Sequence, residues 1–233
     1  MIINLFTQPL YSAKFKKHDE YKSKLEPLLY QDIKEADSKN THDEWWHCNS
    51  YQTYLRGYGQ EDLESEMFTY IDEYMSELGY SGFTYSINSS WFNMYGPNQY
   101  QEEHAHDPNM FSGLYTLRFD KELHKGINFT NKYPEMSALH KLWKLEPRNF
   151  NYAYGTVNMP LEEGNIYIFP ASLRHKVPPQ PATLEKDNYR ITFTFNVAPE
   201  AGRCLIFPAT WTYYHQGYPP KQTKYIMTGW LHE

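Results

Sequence analysis

Cysteine is nearly absent from this chain: its 233 residues include two, Cys48 and Cys204, with no Cys-x-x-Cys spacing. That excludes a disulfide framework and a thiolate zinc site, and makes a reducing cytoplasm the expected compartment. Nothing approaches the roughly 20 consecutive apolar residues of a membrane span. The stretch from Met1 to Tyr11 is interrupted by Asn4 and Gln8 and lacks the charged start and long apolar run of a leader. An excess of positive charge is missing too. A net charge of −6 argues against a protein whose main task is neutralising a phosphate backbone, so no bulk nucleic-acid binding is expected. Low-complexity stretches and flexible linkers are also lacking, which favours a single domain over residues 1–233.

What the chain has in quantity is aromatic side chains, 18% of the total, with 22 Tyr and 13 Phe. Such residues suit half-buried strands better than helical bundles. Two helices are nevertheless expected near the start. Leu25, Leu28, Leu29 and Ile33 recur at helical spacing within roughly residues 18 to 37, with Pro27 disturbing the early turns. Leu63, Met67, Ile71, Met75 (or Tyr74) and Leu78 form a second stripe that stops at Gly79. Both should pack on the outside of a sheet.

From about Phe83 the pattern changes to short apolar runs punctuated by Gly, Pro and Asn. Strands are expected near Phe83–Tyr95, Ser112–Phe119, Asn165–Phe169, Arg190–Val197, Arg203–Phe207 and Lys224–Trp230. This is the rhythm of a jelly roll or barrel. The expected division is an N-terminal strand and helices (1–82), a jelly-roll core (83–197) and C-terminal strands (198–233). Lys121 to Pro160 reads as a long, irregular insertion with one weak strand at Gly126–Phe129.

The chemistry-bearing residues begin with His104 and His106, two positions apart and so on one face of a regular strand. A phrase written twice follows. Gly164-Asn-Ile-Tyr-Ile-Phe-Pro-Ala171 leads to His175 and Arg190; Gly202-Arg-Cys-Leu-Ile-Phe-Pro-Ala209 leads to His215 and Lys224. Either distal histidine could complete a metal site with the proximal pair. In Arg190-Ile-Thr-Phe-Thr-Phe-Asn196, alternation sends Arg190, Thr192 and Thr194 to one face and Ile191, Phe193 and Phe195 to the other. An arginine on a polar interior face needs an anion, and its fork matches a carboxylate. The tighter spacing of His215 and Lys224 is set against their greater distance from His106, which leaves His175 with Arg190 preferred and the second copy as the alternative.

In order, these parts resemble the 2-oxoglutarate- and iron(II)-dependent oxygenase superfamily, in particular a group from bacteria and bacteriophages. The motifs are His104-Ala-His106-Asp107-Pro108, Ser112-Gly-Leu-Tyr115 and Arg190-Ile-Thr-Phe-Thr-Phe-Asn196. The resemblance implies a double-stranded β-helix with flanking helices, and a dioxygenase using Fe(II), 2-oxoglutarate and O2 to hydroxylate a small molecule or protein side chain, releasing succinate and CO2. If the chain is viral, its compartment is the host cytoplasm. The family's usual carboxylate would fall at position 106, where this chain has histidine. The expected ligands are therefore His104, His106 and His175, with a bulge that turns Asp107 inward as the alternative. Arg190 would hold the cosubstrate's far carboxylate. Tyr115 could hydrogen-bond that cosubstrate or pack in the core with its hydroxyl satisfied locally. A cupin-like metalloenzyme without 2-oxoglutarate and a non-catalytic jelly-roll binding or viral structural protein are the rival readings.

Overall fold

The computed structural model describes residues 8–39, 48–81, 84–131 and 155–199. The elements run β1 (Tyr11–Lys14), α1 (His18–Lys39), β2 (Cys48–Asn49), β3 (Tyr51–Thr53), α2 (Gln60–Glu77), β4 (Tyr85–Tyr95), β5 (Tyr100–His104), β6 (Phe111–Arg118), β7 (Ile127–Thr130), β8 (Thr156–Met159), β9 (Asn165–Pro170), β10 (His175–Val177) and β11 (Arg190–Pro199). The strands make two antiparallel sheets, a major one in the order β1-β9-β6-β11-β4-β3 and a minor one in the order β2-β5-β10-β7-β8. With the helices, this is the jelly roll with N-terminal flanking helices that the strand rhythm suggests.

Both helices form where their apolar stripes require. Leu25, Leu29, Ile33 and Ala36 of α1, and Leu63, Met67, Ile71 and Met75 of α2, are all buried. Each helix opens with acidic residues, Asp19 and Glu20 in α1 and Glu61 and Asp62 in α2, which suit the positive end of a helix dipole. Pro27 lies inside α1 without ending it. At the end of α2, Gly79 takes a φ of +77°, which lets the Tyr80 N–H donate to the Met75 carbonyl at 2.9 Å. A side chain would be strained there, which is why glycine closes this helix.

Helices and major sheet share the principal core. Phe92, Met94, Tyr115, Leu117, Ile191, Phe193, Phe195 and Val197 face the helices and pack with their apolar stripes. A smaller cluster of Leu114, Phe119, Ile127, Phe129, Leu161, Tyr167 and Phe169 lies between the sheets. Gln60 ties α2 to the sheet: its Oε1 accepts the Leu55 N–H at 2.7 Å and its Nε2 donates to the Ser90 carbonyl at 3.0 Å.

The weak strand expected at Gly126–Phe129 is β7, but the description of Lys121–Pro160 as an insertion needs correction. Its ends are strands of the minor sheet: β7 pairs with both β8 and β10, so this stretch helps to build the sheet. The expected strands at Arg203–Phe207 and Lys224–Trp230 lie outside the described residues, as do His215 and Lys224. No helix among the described residues is long and apolar enough to cross a membrane.

Candidate metal centre and anion pocket

Three strands of the minor sheet set the histidines. β10 lies between β5 and β7, and its first residue, His175, stands directly across the ladder from His104 on β5 and from Phe129 on β7. His175 is therefore buried, 4% exposed. The Lys176-Val-Pro-Pro segment limits the strand. It ends at Val177, before the prolines, but three residues suffice to register His175 against His104.

His106 arrives by a different route from that expected. β5 stops at His104, so the pair does not share a face through strand alternation. Instead the chain turns: the His106 N–H donates to the Ala171 carbonyl at 2.8 Å, and the His106 carbonyl accepts from the backbone N–H of Asn109 at 3.0 Å and from its Nδ2 at 2.7 Å. The outcome is a cluster. Ring centroids lie 4.4 Å apart for His104 and His175, 4.8 Å for His104 and His106, and 5.1 Å for His106 and His175. One candidate ligand atom from each lies within 4.8 Å of the others. Asp107 is exposed and is not part of this cluster.

Two of the rings are fixed in tautomer. His104 Nδ1 lies 2.7 Å from the Glu102 carbonyl and His175 Nδ1 lies 2.8 Å from the Leu173 carbonyl. A carbonyl can only accept, so each Nδ1 carries the proton and each Nε2 keeps its lone pair for a ligand. Burial, with the neighbouring imidazoles adding to it, pushes the pKa of His106 and His175 down to about 3. Both are thus neutral at pH 7, the state a metal ligand requires. Neutral, converging imidazoles suit a first-row transition metal.

The major sheet supplies the opposite wall. Alternation on β11 places Arg190, Thr192 and Thr194 on the inner face and Ile191, Phe193 and Phe195 in the helix-facing core. On neighbouring β4, Trp91, Asn93 and Tyr95 point inward, and on β6 Ser112 and Leu114 do so. These side chains and the three histidines line one cavity of about 320 Å³ between the sheets.

Arg190 is 1% exposed, and its Nε and Nη1 have no hydrogen-bond partner among the described residues. The guanidinium carbon lies 4.9 Å from the centre of the Tyr95 ring, a cation–π contact. Burial lowers the pKa of Arg190 from its ordinary value, with Tyr95 opposing that shift. A guanidinium remains charged in proteins, and a buried charge with idle donors is costly without an anion. A carboxylate would satisfy such buried donors, and Arg190 lines the same cavity as the histidine cluster.

Tyr115 stands elsewhere. It is fully buried in the core beneath the helices, its hydroxyl 2.7 Å from His18 Nδ1 and its ring edge-on to Phe15 at 5.0 Å. Residues on β6 alternate, so Ser112 and Leu114 reach the cavity and Tyr115 faces α1. A cosubstrate contact for Tyr115 is corrected on that ground to core packing. The sequence reading passed over Trp91, Asn93, Tyr95 and the role of Ser112. Period-two alternation along Tyr85–Tyr95 and Phe111–Arg118 carried that signal.

Residues 89–196 match the model of a family described as "Putative 2OG-Fe(II) oxygenase", a span that includes His104, His106, His175 and Arg190. No curated protein matches the chain in sequence. Among solved structures, a prolyl-4-hydroxylase from Pseudomonas putida is similar at 13% identity and a TM-score of 0.53, covering 84% of this chain and 95% of its own. AviO1 from Streptomyces viridochromogenes Tue57 is similar at 11% identity and a TM-score of 0.55, over 84% of this chain and 92% of its own. HygX from Streptomyces hygroscopicus, solved with nickel and 2-oxoglutarate bound, reaches a TM-score of 0.50 at 8% identity, over 84% of each chain. At these identities the structural likenesses establish the fold, and the family match marks the segment over which the chain resembles the oxygenases.

Proposed function

We propose that this chain is an iron(II)- and 2-oxoglutarate-dependent dioxygenase that hydroxylates a small molecule or a protein side chain. The observation that carries this reading is the single cavity shared by a converging histidine cluster and a buried arginine with two idle donors. Either feature alone has other uses. Together they suit a metal and a dicarboxylate that spans the distance to the arginine.

The residues divide the work. His104, His106 and His175 hold the iron, the first and last through Nε2 because their Nδ1 protons are committed to backbone carbonyls. Arg190 holds the far carboxylate of 2-oxoglutarate, with Tyr95 flanking its guanidinium. Phe169 and Phe129, whose rings lie 4.9 and 5.8 Å from that of His175, help to exclude water behind the cluster. When bound, iron with 2-oxoglutarate and dioxygen supplies the oxidising chemistry: 2-oxoglutarate becomes succinate and CO2, one oxygen atom entering succinate and the other a substrate C–H bond.

Three neutral imidazoles give the centre one negative charge fewer than two histidines and a carboxylate. That ligand set also suits a cupin-like metalloenzyme working without 2-oxoglutarate, and the buried, partnerless donors of Arg190 favour the oxygenase over it. Protein purified without oxygen and loaded with iron should bind about one equivalent, and on exposure to air should release CO2 from carboxyl-labelled 2-oxoglutarate. Asp107→Asn should keep the metal and His106→Ala should lose it. Stoichiometric iron with no release of labelled CO2 would favour the cupin-like reading. No stoichiometric metal at all would favour the binding module.

A further inference from the structure

Regular alternation does not explain how β5 presents its side chains. Gln101 and His104 both line the cavity although they are three residues apart, a separation that puts side chains on opposite faces of a regular strand. The register against β10 shows why. Gln101 stands opposite Val177 and His104 opposite His175, three steps on β5 against two on β10. Glu102 and Glu103 together therefore oppose the single residue Lys176, which is a β-bulge, a device that re-aims a side chain within a ladder. In a regular ladder of the same sequence, Gln101 and His104 could not both face inward.

A bulge disrupts its ladder locally, so the strand needs another hold there. Glu103 provides one from outside the cavity. Its Oε1 accepts from Arg174 Nε at 2.7 Å and its Oε2 accepts from the Thr130 hydroxyl, so one carboxylate ties β5 to the end of β7 and to the residue before β10. Thr130 and Arg174 are also joined to each other, the Thr130 N–H donating to the Arg174 carbonyl at 2.9 Å. None of the three lines the cavity. Each is the sequence neighbour of a ring in the cluster: Glu103 of His104, Arg174 of His175, and Thr130 of Phe129, whose ring lies 5.8 Å from that of His175. The clasp also adjoins both carbonyls that fix the imidazole tautomers, since Glu102 precedes Glu103 and Leu173 precedes Arg174.

Magnitudes separate a positioning role from a stabilising one. The Arg174 and Glu103 side chains are 50% and 33% exposed, and an ion pair so exposed adds little to folding stability. Ligand orientation is more sensitive. Loss of a group that orients metal-ligating histidines typically weakens metal binding about 10- to 100-fold.

We propose that Glu103 is a positioning residue for the metal centre: by clasping Thr130 and Arg174 it holds the β5 bulge that turns His104 into the cavity and keeps its Nδ1 proton on the Glu102 carbonyl. The proposal rests on the metal-centre part of the oxygenase reading.

The test measures iron(II) affinity of the full chain under nitrogen, by competition with a chelating dye. Glu103→Ala should bind iron about tenfold more weakly than wild type. Glu103→Gln should stay within about threefold, because its amide oxygen can accept from Arg174 and its NH2 can donate to the Thr130 hydroxyl. Glu66→Ala removes an ion pair of similar exposure, Lys17–Glu66 at 2.6 Å, and should leave iron affinity within about twofold of wild type. The metal-free proteins give an independent reading. Nitrogen NMR of histidine-labelled wild type at mildly alkaline pH should show the His104 proton on Nδ1, and Glu103→Ala should show it shared between the two ring nitrogens. An iron affinity of Glu103→Ala within about twofold of wild type, or an unchanged His104 tautomer in that variant, overturns the proposal. So does an equal loss in Glu103→Gln, which would make charge the cause, or in Glu66→Ala, which would make general loosening the cause. If wild type binds no stoichiometric iron, the metal-centre reading fails instead, and the nitrogen signals still decide the clasp.

Discussion

At the scale of single residues, the site is organised by burial acting on ionisable groups. His106 and His175 are kept neutral by desolvation, their pKa values pushed down to about 3 from an ordinary value near 6.5. The unfolded chain protonates both near pH 6.5 and the folded metal-free chain does not. Unfolding therefore takes up protons below that pH, and the stability of the metal-free protein falls as the pH drops from about 6.5 towards 3. Between pH 7.5 and 5.5, His106→Asn should lose about 1 kcal/mol less than wild type in urea-unfolding free energy. Equal losses would mean that the His106 imidazole is not held neutral. How much of this was legible in the sequence differs by residue. Arg190 on a polar face followed from simple alternation. The burial of His175 did not, because it depends on β5 and β7 closing on both sides of a three-residue strand. Tyr115 was open to two readings because strand parity decides which sheet face it joins, and its neighbours Ser112 and Leu114 took the cavity.

At the scale of elements, β11 is the organiser, since it pairs with β4 on one side and β6 on the other and carries Arg190. Its helix-facing ring, Phe195, needs the absence of a side chain on the facing strand. A Cβ on Gly113 would stand 2.3 Å from Phe195 Cζ and 2.6 Å from Cε2. Gly113→Ala should therefore destabilise by about 1–3 kcal/mol, the cost of overpacking a filled core, measured by urea unfolding. Combined with Phe195→Leu, it should cost less than the sum of the single changes, because the two residues touch. Strict additivity would contradict this packing. The two helices and the long strands were readable because each carries a sustained apolar period. The short strands β2, β3, β8 and β10 have two to four residues each, too few for any period to show.

At the scale of the whole molecule, the site exists because two sheets face each other with different cargo. The minor sheet and its turn bring the imidazoles, and the major sheet brings Arg190, Trp91 and Ser112. The doubled phrase in the sequence leaves two distal halves competing for one histidine pair. In the first half, His175 clusters with His104 and His106, and Arg190 lines the same cavity. Accordingly, His175→Ala should abolish stoichiometric iron, while His215→Ala and Lys224→Ala should keep it, as read by elemental analysis of anaerobically purified protein; the opposite pattern would transfer the site to the second copy. The central claim is that one cavity holds iron at the histidines and 2-oxoglutarate between the iron and Arg190. Anaerobic titration of 2-oxoglutarate into the iron(II)-loaded protein tests it most directly, through the weak visible charge-transfer band of the chelated complex. Wild type should develop the band with saturation, and Arg190→Ala should need about 10- to 100-fold more 2-oxoglutarate, as expected for losing charge-assisted hydrogen bonds worth about 1.5–3 kcal/mol. No band in the wild type, or identical titrations for the two proteins, would contradict the account.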